Sequence, residues 1–172
     1  MSTRPEYSKK ILKLLSERPA LSVAALTEHG GPKGSKHAIS RSLKSLAEAG
    51  LVERHHSGQQ EYARLTKLGR FKAHSHKLEG ADSLVSPSWD GKWRIILLDL
   101  SEERKSDRDA LRYLLKKAGF VCLKNSVWVS PLPYEHLFAN IKQDLGLTTE
   151  IMIFVTDTID SATENAFREL LQ

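Results

Sequence analysis

The chain has 172 residues, 40% apolar and 27% charged, a composition typical of a globular protein rather than a disordered or fibrous one. It contains no run of 18 apolar residues and no apolar signal core at its N-terminus, so we expect a cytoplasmic protein without a membrane span. The single cysteine, Cys122, excludes an internal disulfide and a zinc site built on cysteine pairs.

Charge is distributed unevenly along the sequence. Residues 1–82 hold 15 Lys and Arg against 8 Asp and Glu, whereas residues 83–172 hold 11 against 13. Six of the seven histidines also lie in the first half. A basic segment joined to a nearly neutral one suggests an anionic partner for the first half, although a merely soluble basic surface gives the same asymmetry.

Residues 79–92 separate the two halves. This stretch is rich in Gly, Pro, Ser and Asp and has no apolar periodicity, which is typical of a linker. The sequence therefore predicts two small domains, residues 1–78 and residues 93–172.

The first half predicts a series of helices. An apolar stripe indicates a helix over residues 7–17, and Ser22 is a candidate N-cap for a short helix over 23–28. A glycine-rich turn at 30–35 precedes a third helix over 36–49, which Gly50 is placed to end in a left-handed conformation.

The third helix has two contrasting faces. Its predicted buried stripe consists of Ile39, Leu43, Leu46 and Ala47. The opposite side, which we call the cationic face, consists of Lys36, His37, Ser40, Arg41 and Lys44. Solvated helix faces usually mix charge signs within each turn, and here the positive side chains cluster toward the helix start, where phosphate binds favourably. We interpret this face as a contact surface for nucleic acid, with a plain solvent face as the alternative.

A two-stranded element follows the third helix. Residues 51–54 and 61–65 are strand candidates, 55–60 form a polar hairpin tip, and a further helix is predicted over 67–77. Helices followed by such a hairpin resemble a winged helix-turn-helix. In that arrangement the helix enters the major groove. The wing would then contact the adjacent backbone or minor groove through Arg54, His55, His56 and Arg64.

The histidine pairs invite a metal-binding interpretation. Neither His55 with His56 nor His74 with His76 has a cysteine or carboxylate at a matching spacing, and adjacent histidines on a hairpin tip diverge. We therefore predict no metal site and no cofactor, and we interpret these side chains as polar surface or phosphate contacts.

The second half predicts the element order β-α-β-β-α-β, in which the first helix begins at Ser101, followed by a C-terminal helix over 160–171. This is the order of a ferredoxin-like fold, so the predicted class is α+β: an N-terminal winged helix-turn-helix followed by a ferredoxin-like domain. Both faces of the first strand, from Trp93 onward, are largely apolar, and two helices cover only one face of a small sheet. The other face must be covered by the C-terminal helix, by the first domain or by a second subunit, and we expect a homodimer.

Four segments of the second half resemble a known family: residues 89–99 (WDGKWRIILLD), 108–112 (RDALR), 118–120 (AGF) and 126–131 (SVWVSP). They are similar to the PaaX-type repressors of phenylacetate degradation. This resemblance implies a DNA-binding repressor that a coenzyme A thioester releases from DNA. The central domain of that family is similar to the small CRISPR-adaptation endonuclease, in which an aspartate matching Asp99 binds a divalent metal.

These observations predict a homodimeric, sequence-specific DNA-binding regulator that is a repressor and not an enzyme, with double-stranded DNA as partner. The longer repressors carry a further C-terminal domain, so whether a small-molecule effector acts on this chain stays open. One alternative is a metal-dependent nuclease or CRISPR-adaptation component that uses Asp99. Asp99 is a lone carboxylate in the sequence, and we interpret it as a strand-end residue rather than a metal ligand. A further alternative is an adaptor that binds nucleic acid without sequence preference.

Overall fold

The computed structural model describes residues 4–29, 36–79 and 88–171. The chain divides into two compact units, residues 1–76 and residues 77–172, and it is of the predicted α+β class. The predicted glycine-rich turn at 30–35, and most of the predicted linker, lie outside the described residues.

The first unit contains four helices and three strands among its described residues. The helices are α1 (Arg4–Ser16), α2 (Val23–His29), α3 (Lys36–Glu48) and α4 (Lys67–Lys77). The strands are β1 (Leu21–Ser22), β2 (Val52–Ser57) and β3 (Gln60–Leu65), and they form one antiparallel sheet in the order β1-β3-β2. The helices match the sequence prediction to within a few residues, whereas β1 was not predicted because two residues carry no periodicity.

The start of α2 and the end of α3 are formed by the residues that the sequence indicated. Ser22 caps α2, because the backbone N–H of Ala25 donates to the Ser22 hydroxyl at 3.1 Å. After α3 the chain reverses at Gly50, which has a φ of +68°, a conformation that favours glycine. The N–H groups of Gly50 and Leu51 donate to the carbonyl oxygens of Ala47 and Leu46. Both predicted boundaries are therefore confirmed.

The predicted hairpin tip was wrong in extent. Strands β2 and β3 pair without a break from Val52 opposite Leu65 to Ser57 opposite Gln60, so only Gly58 and Gln59 form the turn. His55 and His56 consequently lie within strand β2 and not at the tip. A two-residue turn at Gly58, with a φ of +60°, is enough to close the hairpin.

The core of the first unit joins α1, α2 and α3 to the base of the hairpin. The predicted stripe of α3 is buried at Ile39, Leu43 and Leu46, and Ala47 is partly exposed. These side chains form one apolar cluster with residues of the other elements: Ile11, Leu12, Leu15, Leu26, Val52, Ala63, Leu65 and Ala73. The cluster holds α3 with its opposite side facing outward.

Gly69 fixes the start of α4 against the turn that follows α3. A Cβ at this position would lie 1.9 Å from the backbone oxygen of Leu51, far inside the 3.0 Å that non-bonded contacts of a Cβ atom require. The Thr66 hydroxyl reinforces the junction, since it accepts from the Gly69 N–H at 3.0 Å and donates to the Gly50 carbonyl at 2.6 Å. Only glycine allows this approach.

We expect Gly69→Ala to destabilise the first unit by about 3 kcal/mol, because the added methyl group displaces backbone rather than a flexible side chain. Segment-resolved hydrogen exchange measures the loss, which should be confined to residues 1–76. Lys72→Ala, an exposed position on the same helix, is the control and should change stability by less than about 0.5 kcal/mol. Equal protection in the two variants would contradict the close packing at Gly69.

The second unit has the predicted order β-α-β-β-α-β and a final helix. Its elements are β4 (Trp93–Leu98), α5 (Lys105–Lys117), β5 (Val121–Lys124), β6 (Val127–Ser130), α6 (Glu135–Asp144), β7 (Ile151–Thr156) and α7 (Ser161–Leu170). A short 3₁₀ turn over Glu102–Arg104 precedes α5, where the sequence predicted an α-helix from Ser101. The four strands form an antiparallel sheet in the order β5-β6-β4-β7.

The two faces of this sheet are covered differently. On one face Ile96 and Leu98 are buried, as are inward stripes of α5 and α6 that include Leu111 and Phe138. On the other face α7 packs through Phe167 against Trp93 and Val129. The C-terminal helix therefore covers part of the second apolar face, one of the three ways of covering it that the sequence left open.

Arg94 holds the entry to β4 in place. Its side chain is 2% exposed, and its guanidinium donates to both carboxylate oxygens of Asp90 (2.5 and 2.7 Å) and of Glu135 (2.9 and 3.2 Å). It also donates to the backbone oxygen of Lys92 at 3.0 Å. The guanidinium thus ties the segment before β4 to the first turn of α6, and the described end of the predicted linker is anchored.

Candidate nucleic-acid interface

The cationic face of α3 is open to solvent within the first unit. Lys36, His37, Ser40, Arg41 and Lys44 are all exposed. Arg41 forms no ion pair among the described residues, and its Nε donates only to the His37 carbonyl at 3.4 Å. Lys44 lies 3.9 Å from Glu48, and these side chains are 72% and 66% exposed, so this pair is weak. The face therefore offers cations that are not committed to a partner in the described part of the chain.

A groove of about 390 Å³ runs between α1 and the flank of the cationic face. Its lining includes Tyr7 on α1 and Arg41, Ser42 and Ser45 on α3. The Ser42 hydroxyl is buried and makes no hydrogen bond to any described residue. Neither Tyr7 nor Ser42 was singled out from the sequence, because a serine within an apolar stripe gives no signal of its surroundings.

The cations of the wing, the hairpin β2–β3, are placed differently from those of α3. On one side of the hairpin Arg54 donates to both carboxylate oxygens of Glu61, at 2.6 and 2.8 Å. His56, directly opposite Glu61 in the strand register, lies 3.7 Å from the same carboxylate. Arg54 and His56 therefore share one acidic partner.

The other side of the hairpin repeats this arrangement. Glu53 lies directly opposite Arg64, and Arg64 donates to its carboxylate at 2.8 Å. His55 forms a hydrogen bond of 3.1 Å with the same Glu53 oxygen. Each side of the wing thus carries one arginine, one histidine and one glutamate, and with neutral histidines the six side chains carry no net charge.

These pairs hold both carboxylates in their charged form. Hydrogen bonds from His55 and Arg64 lower the pKa of Glu53, and the hydrogen bonds from Arg54 lower the pKa of Glu61. The pairing in turn raises the pKa of Arg54. All four predicted wing residues are exposed, but each has an acidic neighbour that was not among the predicted site residues.

Asp99 stands at the end of β4, exposed and next to β7. Its backbone N–H donates to the carbonyl of Glu150 at 2.8 Å. The Glu150 side chain is turned to other partners, since it accepts from Arg104 at 3.1 Å and from the Thr148 N–H at 2.8 Å. Across the described ranges, no three His, Cys, Asp or Glu side chains are grouped as a metal site would require.

β7 forms one edge of the four-stranded sheet and carries apolar side chains in the open. Met152 and Phe154 are 42% and 48% exposed, and they lie opposite Leu97 and Ile95 on the face that α7 covers in part. The strand (IMIFVT) contains no charged residue and no proline. Charged residues and prolines are what usually keep an edge strand from pairing with another chain. Exposed apolar patches of this kind are typical of surfaces that contact another protein.

Trp89 and Trp93 take structural positions. The Trp89 ring lies 5.2 Å from Trp93 and under the guanidinium of Arg168 of α7, at 4.9 Å, and Trp93 packs on Phe167 at 5.3 Å. The stack fastens α7 to the beginning of β4.

Residues 86–167 match the family model of the PaaX protein central Cas2-like domain. No curated protein matches the chain. Among the described residues, no helix has both the length and the apolar character that crossing a bilayer requires.

Proposed function

Because residues 86–167 belong to the PaaX-type central Cas2-like domain family, we propose that this chain is a homodimeric, sequence-specific DNA-binding regulator that acts as a repressor. In this proposal the first unit is a winged helix-turn-helix that reads DNA, and the second is a ferredoxin-like domain that joins two subunits. The same proposal takes residues 1–78 and 93–172 as the two domains and residues 79–92 as the linker between them.

The observation that carries the proposal is the exposed cationic face of α3. An α-helix fits the major groove, where base edges present a distinct pattern of donors and acceptors. Arg41 is suited to a guanine edge or a phosphate, Ser40 to either, and Lys36, His37 and Lys44 to phosphates. The wing residues Arg54, His55, His56 and Arg64 would lie on the neighbouring backbone or minor groove.

The element order of the first unit supports this assignment. A helix pair, a third helix with an open polar side and a two-stranded antiparallel wing follow one another as they do in winged helix-turn-helix regulators. The third helix is held by its apolar stripe against α1 and α2, so its polar side is presented on a rigid support. A rigid support favours sequence reading, because the reading side chains are positioned before DNA arrives.

Selection of binding sites from random double-stranded DNA, followed by titration at several salt concentrations, tests the proposal. We expect an enriched motif with two-fold symmetry and an affinity that falls steeply as salt rises, because phosphate contacts release counterions. Binding without an enriched motif would instead identify an adaptor that binds nucleic acid without sequence preference. The absence of binding at low salt would overturn the DNA-binding function itself.

The apolar edge at β7 supports the dimer. A second copy of the same chain would cover Met152 and Phe154 through the same surface on both subunits, as two-fold symmetry requires. Two reading units placed in this way match two half-sites of one operator. A symmetric dimer formed through β7 therefore predicts both the two-fold symmetry of the DNA motif and the association of the protein.

We expect Phe154→Glu to convert the dimer into a monomer, because each subunit then places one negative charge at the centre of an apolar contact. Light scattering coupled to size-exclusion chromatography measures the mass. Tyr113→Glu, which changes another aromatic residue of the second unit that is 57% exposed, is the control and should stay dimeric. Equal masses for the Phe154 variant and the wild-type protein would show that β7 does not form the subunit contact.

A further inference from the structure

The wing carries carboxylates where a DNA-contacting hairpin would be expected to carry only cations. Glu53 and Glu61 each take one arginine of the wing and lie within reach of one histidine, on opposite sides of the hairpin. Both glutamates are partly buried by these contacts, with side chains 43% and 21% exposed. The two arginines are therefore occupied before any DNA is present.

The geometry of the pairs shows how firmly they are held. Arg54 meets Glu61 through two parallel hydrogen bonds, the arrangement that matches a guanidinium to a carboxylate most closely. A DNA phosphate would bind Arg54 with the same fork of donors, so Glu61 and a phosphate compete for it. Glu53 and Arg64 are directly opposite in the register, so the second pair is fixed by the backbone of the hairpin.

We propose that Glu53 and Glu61 restrain the wing, by occupying Arg54 and Arg64 and thereby limiting the sequence-independent part of DNA affinity. The inference rests on the proposed DNA-binding function. In this inference α3 and the wing have different roles. Arg41 of α3 has no acidic partner among the described residues, and α3 therefore supplies contacts to bases and phosphates. The wing stays electrically balanced and adds little attraction to a random duplex.

The physical consequence is a defined change in salt dependence. Each phosphate that a protein neutralises makes the slope of log affinity against log salt steeper by roughly 0.9. Releasing two arginines should therefore steepen the slope by up to about 2. Because phosphate contacts carry no sequence information, the affinities for a selected site and for a random duplex should rise by the same factor.

The test compares wild-type protein with the variant E53Q/E61Q in fluorescence anisotropy titrations against a selected site and a random duplex. Glutamine keeps the shape of glutamate and removes its charge. We expect affinity for both duplexes to rise about tenfold at low salt, with the steeper slope described above. E17Q is the single-charge control, since it removes one negative charge at an exposed position without an ion pair among the described residues, and should alter the slope much less.

The outcomes separate the inference from the function. If wild-type protein binds DNA and the double variant shows unchanged affinity and slope, weaker binding, or a rise for the selected site alone, the restraining role is overturned and the DNA-binding function stands. If wild-type protein binds neither duplex at low salt, both fail. Circular dichroism that matches the wild-type spectrum establishes that the variant is folded and that the change is electrostatic.

Discussion

Replacing Arg94 with methionine is expected to destabilise the second unit by about 3 kcal/mol, the largest loss of stability that we predict for a single side chain in this unit. The reason lies in what the substitution leaves behind. Arg94 is almost completely buried, and it satisfies the carboxylates of Asp90 and Glu135 together. Methionine fills a similar volume. The lost stability therefore measures the cost of leaving two carboxylates without their guanidinium partner, and not the cost of a cavity.

Tryptophan fluorescence during urea unfolding measures this loss in the second unit alone, because Trp89, Trp93 and Trp128 all lie between residues 77 and 172. Arg108→Met is the matched control. Arg108 also forms two hydrogen bonds to one carboxylate, but its partner Glu102 has a side chain that is 85% exposed, so the expected loss is less than about 1 kcal/mol. Equal losses in the two variants would show that burial of the Arg94 pairs contributes nothing.

The same site predicts a dependence on pH. The Arg94 guanidinium holds the pKa of Asp90 well below its ordinary value of 3.8 and lowers the pKa of Glu135 below 4.5. A carboxylate whose pKa is lowered by folding stabilises the folded state above its ordinary pKa and loses this contribution as the pH falls through the lowered pKa. We therefore expect wild-type stability to fall progressively below about pH 4.5, and Arg94→Met to show a shallower fall over the same range.

Arg41→Ala and Lys44→Ala should each weaken DNA binding, and by different mechanisms. If Arg41 contacts a guanine edge, its loss costs about 1–3 kcal/mol at the selected site and relaxes the choice of base at one position. If Lys44 contacts a phosphate, its loss weakens binding to all sequences alike and makes the salt slope shallower by about 1. The pair of variants therefore separates base reading from phosphate attraction on one helix.

The control for both variants is Lys72→Ala, an exposed lysine on α4 outside the proposed contact surface. It removes the same charge and should leave the site preference unchanged. Titrations of wild type and the three variants against the selected site and a random duplex give the required comparison. Unchanged affinity in both α3 variants would exclude the cationic face as the DNA-contacting surface.

Much of the fold could be predicted because its signals are local. The apolar stripe of α3, the cap at Ser22 and the reversal at Gly50 each depend on neighbouring residues, and each appears where the sequence indicated. The order of strands and helices in the second unit follows in the same way from alternating and helical periodicities. The errors fall where periodicity is weak: the two-residue strand β1, the 3₁₀ turn before α5 and the extent of the hairpin tip.

The candidate interface was harder to predict, because it depends on partners that are distant in sequence. Arg54 and Glu61 are seven residues apart, and Arg64 and Glu53 eleven, and they meet only once the register of the hairpin is fixed. Placing His55 and His56 in the tip left the register undefined and hid both glutamates. A two-residue turn at Gly58 and Gln59 would have fixed the register, and the register would have placed both glutamates next to the arginines.

The tight turn at Gly58 and Gln59 has a consequence for how this wing could vary among proteins of similar sequence. Side chains alternate between the two sides of a strand. If one residue were added at the tip while the turn kept two residues, every pairing would shift by one, and Glu53 and Arg64 would lie on opposite sides. Both guanidiniums would lose their acids together although no charged residue had been replaced. Loop length, and not the inventory of residues, would then decide how much charge the hairpin displays.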